Sequence, residues 1–377
     1  MMKPISTFGQ TTLRNSQLRQ LEGDLAQANN ELSTGKKTDV AKSIGSDLIR
    51  LQTIRNQFEA NETYLRSINL YKQRYDIMEG AFSEVESAVQ DLVGLATING
   101  ADALDSAFSI NLLAEGVIGR VTGALNISIG GRYLFGGANV GQIPMQPIDQ
   151  PNPNGFTPRQ VITDALTGTG PGAPLNSGVD VTTPVTPADS LDLLNRFQTI
   201  FNGTNALAGP PLDDYSFENT FFNGEIGGVL ADIRLPNNQF NALGNNDLTD
   251  GLREVLQGAW ILSTVDLTNI TDPVAYQTLM TGQAGPPAVP GALDLITGGL
   301  SKIMDARTSL GLQWQLVDAN DEAVRTQNAM FNNQILQLEN VDRAEVTTRL
   351  LDIENQLEAS YAVTGRVLNL RLFNFVR

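Results

Sequence analysis

The chain has 377 residues, 41% of them hydrophobic, a formal charge of −16, and neither cysteine nor histidine. This balance offers no basic surface to displace counterions from a nucleic acid or to hold an anionic membrane, so no nucleic acid and no membrane is expected as a partner. The missing cysteine removes disulfides, thiolate nucleophiles and zinc-thiolate sites, and the missing histidine removes the commonest acid–base group near neutral pH.

Proline divides the sequence. Pro4 stands near the start, and the other sixteen prolines fall between Pro144 and Pro290. Because proline in a helix interior costs about 3 kcal/mol, the two long proline-free stretches read as helical arms around a different, inserted region. No apolar run reaches the roughly 18 residues that a membrane helix needs. The opening MMKPISTFGQTTLRNSQ lacks the apolar core of a cleavable signal peptide.

In chain order, Leu18, Leu21, Leu25, Ala28 and Leu32 recur at helical spacing until Gly35 breaks the run within STGKK. A second stripe holds Leu51, Ile54, Phe58, Leu65 and Ile68, and continues after a one-residue slip through Tyr75, Met78, Phe82, Val85, Val89, Leu92 and Ala96. This heptad seam predicts coiled-coil packing, and one helix over Ser46–Thr97 would be about 75 Å long. A third helix is expected over Ala103–Ile127, with Gly116, Gly119 and Gly123 available for close approach of another backbone. GGRYLFGG (Gly130–Gly137) then suits a turn or short hairpin, with Tyr133, Leu134 and Phe135 plugging the junction between helical rod and insertion.

The middle, about 141–290, reads as a small α+β insertion. It has a β-prone VDVTTPV, a hairpin expected from Phe221–Phe222 through Asn223–Gly224 to Val229–Leu235, and a helix with Leu252, Val255, Leu256, Ala259 and Trp260 inward. Past Pro290, a helix is expected from Leu293 to about Leu338, with Ile296, Leu300, Ile303, Met304 and Leu310 on one stripe. The following stretch is expected to continue it through Val346, Leu350, Ile353, Leu357 and Tyr361, with a Glu345–Arg349 pair on its exposed face.

The fold class is therefore mainly α: an elongated antiparallel helical coiled-coil rod formed by the two arms, carrying a small α+β domain. The expected division is an N-terminal assembly segment (1–45), two parts of the rod (46–140 and 291–344), the outer domain (141–290) and a C-terminal assembly helix (345–377). Rod-core positions are Phe58, Leu65, Phe82, Val85, Val89, Leu92, Leu350 and Ile353. The terminal stripes have no domain body to hide behind, so Leu18, Leu21, Leu25, Leu32, Leu357, Tyr361, Leu368, Leu370, Leu372, Phe373 and Phe375 are expected to cover one another and to meet further copies of the chain.

Other candidate sites have plainer readings. Asp247 and Asp250 in NNDLTDG lack the remaining calcium-loop ligands and suit a helix start. Asp318, Asp321 and Glu322 read as a solvated helix face. GGRYLFGG is no phosphate loop. Four Asn-x-Ser/Thr triplets, at Asn61, Asn126, Asn202 and Asn269, match a glycosylation pattern that arises often by chance. No catalytic, cofactor-binding or metal residue is assigned, no cofactor is expected, and the chain is not read as an enzyme.

Three stretches carry a family resemblance. NNELSTGKKTD (Asn29–Asp39) resembles the segment after the first helix of flagellins and flagellar hook-associated proteins. GGRYLFGG resembles the exit from the rod in the hook-associated protein 3 branch, and QLEASYAVTGRVLNLRLFNF (Gln356–Phe375) resembles that branch's last helix. The resemblance covers about 5–140 and 295–376. DVAKSIGSD (Asp39–Asp47) stands where each branch carries its own pattern, which leaves the two branches open, while the C-terminal match favours the hook-associated one. SEVESAVQDLVGLATING (Ser83–Gly100) holds no arginine, unlike the helical patch by which some flagellins are sensed. The resemblance implies a structural flagellar subunit, either the hook–filament junction protein or filament flagellin. It also implies export through the flagellar type III apparatus, an extracellular location, terminal segments that fold on assembly, and partners among its own copies, other hook-associated proteins, flagellin and an export chaperone. A reading of another class is a secreted coiled-coil protein that binds a receptor or glycan through its middle domain.

Overall fold

A computed structural model describes residues 7–98, 103–137, 139–153, 155–170, 177–202, 215–224, 231–234, 240–243, 246–285 and 288–375. The elements are α1 (Thr7–Thr34), α2 (Val40–Ile44), α3 (Leu48–Ile98), α4 (Ala103–Leu125), β1 (Ser128–Ile129), β2 (Arg132–Tyr133), α5 (Pro158–Thr167), α6 (Pro187–Asn202), β3 (Ala231–Arg234), β4 (Phe240–Leu243), α7 (Asn246–Thr264), α8 (Pro273–Thr281), α9 (Ala292–Glu339) and α10 (Arg343–Phe375). The fold is mainly α, with long helices in both arms, as the proline-free stretches dictate. The chain divides into two compact units, residues 1–63 with 323–377 and residues 64–322.

Within α3 the burial pattern shows the expected slip and confines it to one of two columns. Ile54, Asn61, Ile68, Tyr75, Phe82, Val89 and Ala96 keep an unbroken seven-residue repeat of buried or half-buried positions. The column beside it changes instead. Early in the helix Leu51, Phe58 and Leu65 flank the repeat, and later Tyr71, Met78, Val85 and Leu92 flank it on the other side. The vacated column then carries Lys72, Glu79 and Glu86. A polar side chain on that edge keeps its charge near water while its stem packs on the seam.

In the unit of residues 64–322, α3 and α9 run antiparallel. Lys72 Nζ donates to Asp318 at 2.6 Å and to Asp321 at 2.8 Å, and Arg307 pairs with both Glu79 and Glu86. Asp321 is 7% exposed, so the solvated face expected for Asp318, Asp321 and Glu322 holds only for Glu322. Met304, expected on the packed stripe, is exposed, while Ile296, Ile303 and Leu310 are buried.

The hydrophobic core of this unit extends from α3 through α4, α6, α7 and α8. Its densest part is aromatic: Phe201, Phe217, Phe221 and Trp260 make ring contacts with centroids 5.1–6.3 Å apart. Arg196 of α6 is fully buried within the insertion. It donates to the carbonyls of Ala165 and Val179 at 2.7 and 3.0 Å, to Ser177 Oγ at 2.6 Å and to Asp192 at 2.5 Å. One guanidinium thus closes the C-terminal end of α5 and holds the segment around Val179.

Several local expectations are corrected. Phe217–Phe221 forms a turn of π-helix, and Phe222 bridges Met145 rather than starting a hairpin. The later half of that stretch does contain a strand, β3, but its antiparallel partner is β4, with Ala231 opposite Leu243. VDVTTPV forms no strand; Val181 donates its N–H to Leu166 in a loop instead. Gly116, Gly119 and Gly123 face no other backbone. Close approach occurs between α7 and α9, where a Cβ on Gly251 would meet the Gly299 carbonyl at 2.8 Å and one on Gly299 would meet the Gly251 carbonyl at 2.6 Å.

GGRYLFGG supplies a hairpin. Gly130 and Gly131, with φ of 58° and 79°, make the tight turn between β1 and β2 that two positive-φ residues allow. Beyond it Leu134 and Phe135 are buried, Phe135 meets Phe82 edge-to-face at 5.5 Å, and Tyr133 is half-buried.

Candidate assembly surface

The terminal helices meet in the unit of residues 1–63 and 323–377. α1 ends where Gly35 adopts φ 71°, a conformation that favours glycine past a helix end. The C-terminal arm breaks as well. α9 stops at Glu339 and α10 restarts at Arg343, so the continuous helix expected across this stretch is interrupted. The cause is local: Asp342 accepts from the Ala344 N–H at 2.9 Å with its carboxylate, an N-terminal cap that starts a new helix.

From these breaks α1 and α10 run antiparallel. Glu31 pairs with Arg349 near the breaks, and Tyr361 Oη donates to Glu22 at 2.8 Å farther along. Arg349, expected to pair with Glu345 on its own helix, pairs across to α1 instead. Between the helices Ala28, Val346, Ile353 and Leu357 are buried, and Leu18, Leu21, Leu25, Leu32 and Leu350 pack half-buried against them. The heptad spacing of both arms therefore meets in one thin seam.

This seam leaves much of both helices uncovered. Leu13, Leu351, Tyr361 and Val363 are exposed, Tyr361 at 53%. A groove of about 260 Å³ runs along the pair between Arg14, Leu18, Val363 and Thr364. Leu368, Leu370, Leu372, Phe373 and Phe375 lie on the helical backbone of α10, but their side chains fall outside the described residues.

Glu31 is the electrostatic centre of the unit. It is 2% exposed, and burial works against its charged form. The Gln27 amide, the Thr38 N–H and the Arg349 guanidinium outweigh that penalty and hold its carboxyl below the ordinary range. In the start of α3, Phe58 is half-buried, and Asn61 is buried in the repeat and donates to Gln327 at 3.0 Å. Asn328 donates to Glu62 at 2.8 Å. Two of the glycosylation-like triplets are thus structural pins: Asn61 here, and Asn126, which exchanges hydrogen bonds with the Met145 backbone at 2.8 and 2.9 Å.

The other unit carries its own uncovered apolar residues. Phe108 and Leu112, one turn apart on α4, are 73% and 60% exposed, and Leu312 and Leu316 repeat the arrangement on α9. Sequence reading missed these pairs, although each sits four residues apart and off the buried stripe. The rod-core positions Leu65, Phe82, Val85, Val89 and Leu92 are buried. Lys72 is also under opposing influences: burial disfavours its charge, but Asp318 and Asp321 raise its pKa overall. Burial pushes the nearby Tyr71 hydroxyl up to about 12.

Among the described residues, no group of carboxylates is placed to hold a metal ion, and no helix is long and apolar enough to cross a membrane. The arrangement offers packing surfaces. Comparison with known proteins matches residues 5–140 to the bacterial flagellin N-terminal helical region and residues 293–376 to the bacterial flagellin C-terminal helical region. No curated protein matches the chain.

Proposed function

As this chain belongs to the bacterial flagellin family, we propose that it works at the hook–filament junction, as a subunit like hook-associated protein 3. It is a structural flagellar subunit of a family that is not enzymatic, whose members self-assemble into polymers and are exported to form the extracellular flagellum. The observation that carries the reading is the antiparallel α1–α10 pair, which buries one narrow stripe and leaves Leu13, Leu351, Tyr361 and Val363 in solvent. Such a surface becomes satisfied when copies of the chain pack side by side.

In this reading the paired terminal helices of neighbouring copies line the inside of a tube. Torque is transmitted because many buried apolar contacts resist shear together, each buried leucine contributing about 1.5–3 kcal/mol. The partners are copies of the chain, adjoining hook-associated proteins and flagellin, with a chaperone covering the terminal helix before export. Two stretches favour the junction over the filament, Gly130–Gly137 and Gln356–Phe375, which resemble the hook-associated branch. The filament subunit is the second reading, supported by the flagellin descriptions of both matched regions.

Deleting the gene separates them. A junction subunit leaves hooks without filaments and sheds intact flagellin into the medium. A filament subunit removes the major filament band itself. Motile cells with normal filaments after deletion would defeat both.

A further inference from the structure

Two helices, α4 and α9, each carry a second face that the buried core does not use. On α4, Ala107, Ile110, Ala114, Val117 and Val121 are buried, and the other side holds a stripe of exposed positions, Phe108, Leu112, Gly116, Gly119 and Gly123. The spacing of four, four, three and four keeps all five on one side of a helix. Nothing lies within 4 Å of the place a Cβ would take on any of the three glycines, so the backbone there is open to the approach of another chain.

On α9, Ile303, Leu310 and Val317 are buried, and the far side of the helix shows Thr308, Leu312, Leu316, Ala319 and Ala323, all exposed. The spacing is again four, four, three and four. Neither stripe carries a charged residue, and each extends over about 22 Å of helix.

The two stripes fit each other when they run antiparallel. Placing Gly119 against Leu312 sets Gly123 against Thr308, Gly116 against Leu316, Leu112 against Ala319 and Phe108 against Ala323. Every large side chain then faces a small one, the alternation that fills the space between two helices. The parallel alternative sets Phe108 and Leu112 against Leu312 and Leu316 and leaves Gly116 and Gly119 facing alanine, so one end is overpacked and the other is hollow.

We propose that the α4 face of one copy docks antiparallel on the α9 face of the next, in the register that opposes Gly119 to Leu312. The contact joins two different faces, so each copy keeps one of each free, and the contact propagates as a ring or a helical array. It is one part of a larger interface, since a stable contact covers roughly 800 Å² on each partner. It asks for no order in α1 and α10 before assembly. The docking rests on the reading of the chain as a polymer subunit and adds which surfaces outside the terminal helices meet.

Cells whose only copy of the chain is a variant test it, with isolated flagella and medium probed for the protein. Gly119→Leu should leave the melting of the purified chain unchanged or slightly raised, because open space lies above Gly119 and leucine favours a helix more than glycine does. Its incorporation into flagella should nevertheless fall by about tenfold or more, with the chain shed to the medium. Gly119→Leu with Leu312→Ala moves the volume from one face to the other and should restore at least about half of the incorporation. Gly119→Leu with Leu70→Ala, on an exposed position of α3, should restore none. Because the chain has no cysteine, the register can be read directly. Leu112→Cys with Ala319→Cys should give a ladder of disulfide-linked multimers in assembled flagella, and Phe108→Cys with Leu312→Cys, which face each other only in the parallel arrangement, should give none. Normal incorporation of Gly119→Leu, no rescue by Leu312→Ala, no ladder from the first cysteine pair, or a ladder from the second would overturn the docking and leave the flagellar reading in place. A wild-type chain absent from isolated flagella would overturn both. If Gly119→Leu melts early, the cysteine pairs decide.

Discussion

In the unit of residues 64–322, phenylalanines from α6 and the π-turn pack ring against ring, Phe221 meets Trp260 of α7 edge-to-face, and Arg196 is fully buried against carbonyls, the Ser177 hydroxyl and the Asp192 carboxylate. In the unit of residues 1–63 and 323–377, α1 and α10 share a single stripe whose fully buried members are Ala28, Val346, Ile353 and Leu357. The first unit buries large side chains on several sides of α6 and α7. The second has one side per helix covered, so an ion-paired joint and a hydrogen-bonded polar layer do what packing does elsewhere. Two helices with one shared stripe are marginal in water, and marginal order is what a surface completed by other copies requires.

The largest way to sharpen this contrast is to open the aromatic cluster. Phe221→Ala removes a ring enclosed by Phe201, Phe217 and Trp260 and should cost about 3–5 kcal/mol of the stability of its unit. Thermal denaturation followed by Trp fluorescence should show one transition lowered, with the helical signal of α1 and α10 unchanged. Arg196→Met tests the same unit differently. It leaves the Ala165 and Val179 carbonyls without their donor, and each buried acceptor so orphaned costs about 1–3 kcal/mol.

Next in size is a cut into the thin seam. Leu357→Ala should cost about 2–3 kcal/mol, at the low end for buried leucine because the site lies near solvent. The loss should appear as faster exchange in α1 and α10 while the melting of the aromatic unit stays in place. Leu357→Asp should abolish polymerisation with that unit still folded. A single cooperative transition shifted by both Phe221→Ala and Leu357→Ala would break the contrast.

How far the sequence led also differs between these regions. The helical arms were legible because proline is excluded from them and leucine recurs at helical spacing; α3 begins and ends within two residues of expectation, and α1 ends at the expected break but begins well before the first leucine of its stripe. Gly35 marked the first break, since it is a glycine past a leucine stripe. The break at Asn340–Asp342 was hidden, because Asn340, Val341 and Asp342 contain neither glycine nor proline and the stripe resumes at Val346. Only the cap made by Asp342 reveals it. Arg349 could pair within its helix or across it, and spacing alone favoured the nearer Glu345; the buried Glu31 won because three donors converge on it. Asp321 looked solvated for a similar reason: nothing local announces that Lys72, far away in the chain, covers it. In the insertion, β-branched residues suggested a strand at VDVTTPV, but tertiary bonds to α5 and Arg196 hold that segment as a loop.

Protonation gives a smaller separation of the units, with opposite signs. Glu31 is held below its ordinary 4.5, so its contribution is complete above pH 4.5 and is lost as pH falls through the lower folded value. Lys72 is held above its ordinary 10.5, so its contribution is complete below pH 10.5 and is lost as pH rises through the folded value. Acid should loosen α1 and α10 first, and strong alkali should loosen the Lys72 contacts of α3 and α9. Exchange measured across pH should show the acid-side change flattened in Glu31→Gln and retained in Lys72→Met.

The smallest effect on folding comes with a clear effect on assembly. Phe108 and Leu112 stand on the well-packed unit, yet each is mostly in solvent, so Phe108→Ser should move stability by no more than about 0.5 kcal/mol. If the incomplete surfaces are confined to the terminal helices, the variant should polymerise as the wild type does. If the α4 face also meets another copy, polymerisation should fall although the monomer melts normally, and Leu312→Ser on α9 should repeat the result. The exposed area favours the second outcome, because an apolar pair one turn apart has the spacing of a helix contact and is not covered by the described residues of its own unit. Sedimentation of both variants beside Leu357→Asp then ranks the surfaces: loss in Leu357→Asp alone places assembly in the thin seam, and loss in all three extends it to the unit whose core needs no help.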